Sequence, residues 1–166
     1  MGREVRRVPT DWHHPQEWRG GSYQFKPLLE GPFEQRAAEW DLAARKWDEG
    51  FSEDLGQWLP RADSTYTVEG TYEEYAGARP RIEDYMPAFA EGTATHYMMY
   101  ETCTEGTPIS PAFATPEQLA RWLTDNKANA FGAETASYEA WLRVCNGGYA
   151  PSMVLDEHGL RSGVEL

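Results

Sequence analysis

The stretch from Thr95 to Asn126, THYMMYETCTEGTPISPAFATPEQLARWLTDN, constrains the fold more than any other part of the chain. Its first segment, Thr95 to Cys103, holds Tyr, Met and Thr with no Gly or Pro, and reads as a β-strand. A period of two puts His96, Met98 and Tyr100 on one face and Tyr97, Met99 and Glu101 on the other. EGTPISPAFA breaks that strand with a glycine and prolines and reads as a loop. Thr115, Pro116 and Gln118 then supply an N-cap, a proline at the first helical position and the closing residue of a capping box. Leu119, Trp122 and Leu123 share one face of the helix that follows, and Asn126 ends it.

The remaining segments supply partners for this pair. GREVRRVP reads as a short edge strand closed by Pro9. TDWHHPQEWRGGSYQFKP reads as an ordered loop pinned by Trp12, Trp18, Tyr23 and Phe25, with Gly20 and Gly21 at a turn. Phe33, Ala37, Trp40, Ala44 and Trp47 recur at helical spacing between Pro32 and Gly50, so they share one stripe of a helix, expected to pack in the core, with a partner-binding face as its alternative. SEDLGQWL reads as one helical turn, and STYTVEG as a short strand with Tyr66 and Val68 on one side. TYEEYAGARPRIEDYMPAF reads as short helical turns and loop. There Tyr72, Tyr75 and Tyr85 either line a pocket for a flat ring or cover the core. Tyr138, Trp141, Leu142 and Cys145 mark a further helix, capped by Thr135 or Ser137 and stopped at Asn146-Gly147-Gly148. Ser152 to Asp156 reads as a strand with LRSGVEL as its hairpin partner. The expected fold class is α+β. It is a single compact domain over residues 1–166, with about three helices packed on a small, mostly antiparallel sheet and long ordered loops.

Composition narrows the function classes. Hydrophobic residues make up 40 % of the chain, yet 13 % is aromatic, so a folded core rich in Trp, Tyr and Phe is expected. The net charge of −12 argues against direct binding to a nucleic-acid backbone and against an anionic membrane surface. Arginine outnumbers lysine, which occurs only at Lys26, Lys46 and Lys127, so a local anion pocket stays open. Cys103 and Cys145 read as free, half-buried thiols in a reducing cytoplasm. Arg3, Arg6 and Arg7 precede no apolar stretch, so no signal peptide and no membrane span are expected.

No motif names a reaction. The His and Cys residues show no CxxC, HxH or HExxH spacing, so neither a metal nor another cofactor is expected. No catalytic residue is assigned. EGTPISP lacks the GK[ST] of a phosphate loop. It still places the hydroxyls of Thr104, Thr107 and Ser110 beside Tyr97, Tyr100 and Glu101, where tyrosines stack on a base and hydroxyls hold sugar or phosphate. The competing reading is a proline-locked connection whose hydroxyls satisfy nearby backbone. Arg3, Arg6 and Arg7 with Trp12, His13 and His14 form a second candidate anion site; its alternative is salt bridging within an acidic chain.

GREVRRVPTDWHHP, then THYMMYETCTEGTPISPAFATPEQLARWLTDN and AFGAETASYEAWL, resemble a family of small uncharacterised proteins encoded by tailed phages. The resemblance spans both ends and the central loop. It implies a protein made in the cytoplasm of a bacterial host and carries over no catalytic residue. Three functions follow as expectations. The first is a ligand-binding protein that sequesters a nucleotide or related small anion to counter host defence, through Arg3, Arg6, Trp12, His13, Tyr97, Tyr100, Glu101, Thr104, Thr107 and Ser110. The second is an acidic inhibitor that covers a basic host protein with Glu34, Glu39, Asp41, Asp48, Glu53 and Asp54. The third is a nucleotide-acting enzyme with His96 and Glu101 as acid and base. The aromatic excess is compatible with a homodimer.

Overall fold

β1 (Gly2–Val8) is an interior strand, in contrast to the edge position expected from its sequence. In the computed structural model, which describes residues 2–63, 70–157 and 159–165, it lies between β6 (His96–Glu101) and β8 (Tyr149–Pro151). The physical reason is that two of its three arginines are neutralised inside the fold, so they do not demand water. Arg3 is 2 % exposed and Arg6 is 5 % exposed. The backbone groups into two compact units, residues 1–29 with 87–166, and residues 30–86. The fold class is α+β, and every strand pair among the described residues is antiparallel.

The first unit is built on a sheet of order β7-β6-β1-β8, where β7 is Thr107–Pro108. Val5 lies opposite Met99, and Arg3 opposite Glu101. Period two therefore places Arg3, Val5, Arg7, Tyr97, Met99 and Glu101 on one face. That face packs on α3 (Pro116–Asp125) and α4 (Tyr138–Gly147), which bury Leu119, Leu123, Trp141, Val144 and Cys145 against Met99. Their ends fall where the sequence predicts, with Thr115 and Ser137 as the capping residues. Thr115 Oγ1 accepts the Gln118 N–H, Ser137 Oγ accepts the Ala140 N–H, and Gly148 ends α4 in the left-handed region at φ 85°. The Gly148 carbonyl accepts the Val5 N–H at 2.8 Å, which ties this helix end to β1.

The opposite face carries Glu4, Arg6, Val8, His96, Met98 and Tyr100, and it too is covered. β2 (Gln16–Arg19) and β3 (Ser22–Phe25) form a hairpin over the turn at Gly20 and Gly21, where the sequence reads as loop. The connection after β6 passes close to Leu28. Leu28 N–H donates to the Gly106 carbonyl, and a side chain at Gly106, φ 96°, would run into the Leu28 carbonyl and the Arg6 guanidinium. Only glycine fits there. β9 (Met153–Asp156) and β10 (Gly159–Ser162) complete this unit as the expected hairpin.

The second unit centres on α1 (Phe33–Asp48), which buries Ala37, Ala43 and Trp47. SEDLGQWL is a hairpin of β4 (Phe51–Asp54) and β5 (Gln57–Pro60), in contrast to the helical turn expected. The short helix α2 (Tyr72–Ala76) opens on a capping box between Thr71 and Glu74. Trp47 Nε1 donates to the Gly70 carbonyl at 2.9 Å, and Arg79 holds Asp41 with two bonds of 2.8 Å. Tyr85 is buried against Phe33. The strand expected at Tyr66 and Val68 lies outside the described residues.

Candidate functional site

Tyr100 is fully buried, and its hydroxyl is the hub of a polar chain under the N-terminal segment. Trp12 Nε1 donates to Tyr100 Oη at 3.2 Å. His14 places Nδ1 at 3.1 Å from the same oxygen and Nε2 at 2.7 Å from the Lys26 carbonyl. A carbonyl only accepts, so Nε2 carries the proton. Burial lowers the pKa of His14 as the largest effect, the Lys26 carbonyl opposes it, and nearby Arg6 lowers it further. The ring is therefore neutral, and Nδ1 at 3.1 Å is the stronger of two acceptors for the single Tyr100 proton, the other being Met98 Sδ at 3.4 Å. Arg6 lies 4.4 Å from the Tyr100 ring centroid, donates to Leu28 O at 2.6 Å and is paired with Glu4.

Above this chain opens a cavity of about 840 Å³. Trp12, Phe25 and Trp122 provide flat walls, with Met98, Ile109 and the Pro108 and Pro111 rings between them, and His13 stands at its exposed side. Ser110 also lines it, but its hydroxyl already accepts Met99 N–H and donates to Pro111 O. A second cavity of about 510 Å³ shares Phe25 as a wall and is lined by Arg19, Cys103, Thr104, Glu105 and Thr107. Thr104 donates to Glu101 O, and its hydroxyl touches that of Thr107. With the Thr104 proton so placed, Thr107 donates to Thr104. Thr107 is then left with lone pairs only, which accept from a sugar hydroxyl and not from a phosphate oxygen. The cation of this cavity is Arg19, itself paired with Glu17 at 2.7 Å and well exposed.

The residues expected to bind a ligand are thus divided. Trp12, His13 and Ser110 meet in the first cavity, and Thr104 and Thr107 in the second. Tyr100 lies beneath the first cavity as a support, with its ring covered by Arg6 and His14, so it offers no face for stacking. Tyr97 projects from the opposite face of β6 and is covered by Arg7 at 3.9 Å. Arg3 is on that face too, bonded to Glu101 at 2.8 Å and to the carbonyl and side chain of Asn129. Arg3 and Arg6 therefore do not form one anion site: an odd separation on a strand sends them to opposite faces. The same rule separates His96 from Glu101, and His96 bonds with Thr10 and Thr95. On the acidic surface, Asp41 is held by Arg79, which lowers its pKa, and Glu39 accepts from Gln35 and Arg36.

Phe25, Trp122 and Arg19 stand outside both candidate sites read from the sequence, whereas His14 belongs to the anion site proposed there with Trp12 and His13. The sequence signal for Phe25 is the aromatic cluster around Gly20 and Gly21, Trp122 reads as a core residue of its helix, and nothing local marks Arg19. Among the described residues, no group of three or more His, Cys, Asp or Glu could hold a metal ion, and no helix is long and apolar enough to cross a membrane. Compared with protein-family models, curated proteins and solved structures, the chain matches none.

Proposed function

We propose that this protein binds a small ligand with a flat ring and a polar, anionic tail, of which a nucleotide is the best-fitting class. One observation carries the reading: the two cavities share Phe25 as a wall. A base would lie among Trp12, Phe25 and Trp122, and its sugar and phosphate would pass Phe25 toward Thr107 and Arg19. The resemblance to tailed-phage proteins supports a setting in an infected bacterium, where sequestering such a molecule would counter host defence.

Calorimetric titration with a panel of nucleotides and nucleosides tests this. Trp122→Ala is expected to weaken the best ligand by about tenfold or more, as for loss of one stacking ring. Arg19→Ala is expected to weaken the phosphorylated ligand while leaving its nucleoside unchanged. No binding by any member, or equal affinity in wild type and both folded variants, overturns the proposal.

A further inference from the structure

The second unit holds a cavity of its own, about 270 Å³, with walls of Trp47, Trp58, Tyr72 and Tyr75 and a carboxylate, Glu53. Trp47 and Tyr75 are stacked, with centroids 4.6 Å apart and planes at 21°. Tyr72 lies 5.9 Å from Trp47 and 6.2 Å from Tyr75. Glu53 sits directly opposite Trp58 across the β4–β5 hairpin, so both side chains leave the same face of that ribbon. Among the described residues no cation pairs with Glu53.

We infer that this cavity is an aromatic cage for a quaternary ammonium head group. Ring faces carry negative potential and attract cations, and a carboxylate at the rim adds to that field. The Trp47 ring already carries the Arg61 guanidinium, 4.2 Å from its centroid, as well as the stacked Tyr75, so the head group would meet the Trp58 and Tyr72 rings beside Glu53. Burial, the charge of Glu53 and Tyr75 together raise the pKa of Tyr72, which sets Glu53 in electrostatic reach of the rings. A methylated ammonium suits these walls better than a primary one. It has no N–H to leave unbonded among the rings, and its methyl groups spread the charge over their faces. The assignment concerns the second unit alone and does not depend on the ligand proposed for the first.

Choline titrated into the full chain, followed by chemical shifts of the tryptophan indole N–H signals, is the test. The uncharged isostere 3,3-dimethylbutan-1-ol is the control. Choline is expected to shift the Trp58 signal and to bind at least about tenfold more tightly than the isostere. Glu53→Gln is expected to weaken choline several-fold with no change in the melting curve. Stronger binding of a trimethyl-lysine peptide than of choline would assign the head group to a protein tail; the reverse would assign it to a free small molecule. Equal affinity for choline and the isostere, or no shift with either, overturns the inference.

Discussion

Trp12 and Tyr100, far apart in sequence, are joined by a hydrogen bond from the indole N–H to the phenol oxygen, 3.2 Å long. That bond fixes one wall of the larger cavity to the floor of the sheet. The phenol in turn donates to neutral His14, and His14 donates to the Lys26 carbonyl, so one buried hydroxyl positions two side chains that line the cavity.

Replacing the hub tests this arrangement. Tyr100→Phe keeps the ring under Arg6 but strands the Trp12 N–H and His14 Nδ1. The expected loss is about 1–3 kcal/mol of folding stability. Denaturant titration measures it, and an unchanged midpoint would mean that the hydroxyl links nothing.

His14 gives a stability change with a defined pH window. Its folded-state pKa is lowered from the ordinary 6.5, so the unfolded chain binds this proton more tightly. Stability is therefore full above 6.5 and falls as pH drops through that value toward the lowered one. The carboxylates of Asp41 and Glu74 also have lowered values. Their contribution is present above their ordinary 3.8 and 4.5 and is lost below, so it belongs to a more acid window. Denaturant midpoints from about pH 7.5 to about pH 5.5 are expected to fall in the wild type and to stay flatter in His14→Gln. Parallel profiles would contradict a buried neutral imidazole.

The two cysteines are expected to differ in reactivity. Cys103 is exposed, whereas Cys145 is buried in α4 and its pKa is pushed up to about 12, first by burial and then by the charge of Glu117. A thiol-reactive dye should label one site in the native chain and both after denaturation. Rapid native labelling of Cys103→Ser would refute the burial of Cys145.

Gly106→Ala is expected to destabilise the fold by about 2 kcal/mol or more. The new methyl group would meet the Leu28 carbonyl and the Arg6 guanidinium, in a backbone conformation that already favours glycine. Thermal melting measures the effect, and a shift within error would show that the segment at Leu28 gives way without cost.

The elements legible in the sequence are those whose signals are local. Thr115 with Pro116, and Ser137 with Gly148, mark helix ends through contacts within one turn. The capping box at Thr71 and Glu74 is equally local. Other features depend on partners far along the chain. β1 looked like an edge because nothing nearby reveals that Arg3 meets Glu101 and Asn129, or that Arg6 meets Leu28 O. The β4–β5 turn places Leu55 at φ 47°, a conformation few would expect of leucine, so its hairpin signal was weak. The candidate site was half legible for the same reason. Thr104, Thr107 and Ser110 lie where the loop suggested, but Phe25 and Trp122 come from elements that only the fold brings together.

Native mass spectrometry of the intact chain purified from bacteria, before and after denaturation and after incubation with a nucleotide panel, tests the ligand claim most directly. The account predicts a chain carrying a nucleotide-sized mass, either retained from the cell or gained on incubation, that denaturation releases and whose occupancy falls in Trp122→Ala. A wild-type chain that stays at its bare mass throughout, with native fold intact, would contradict it.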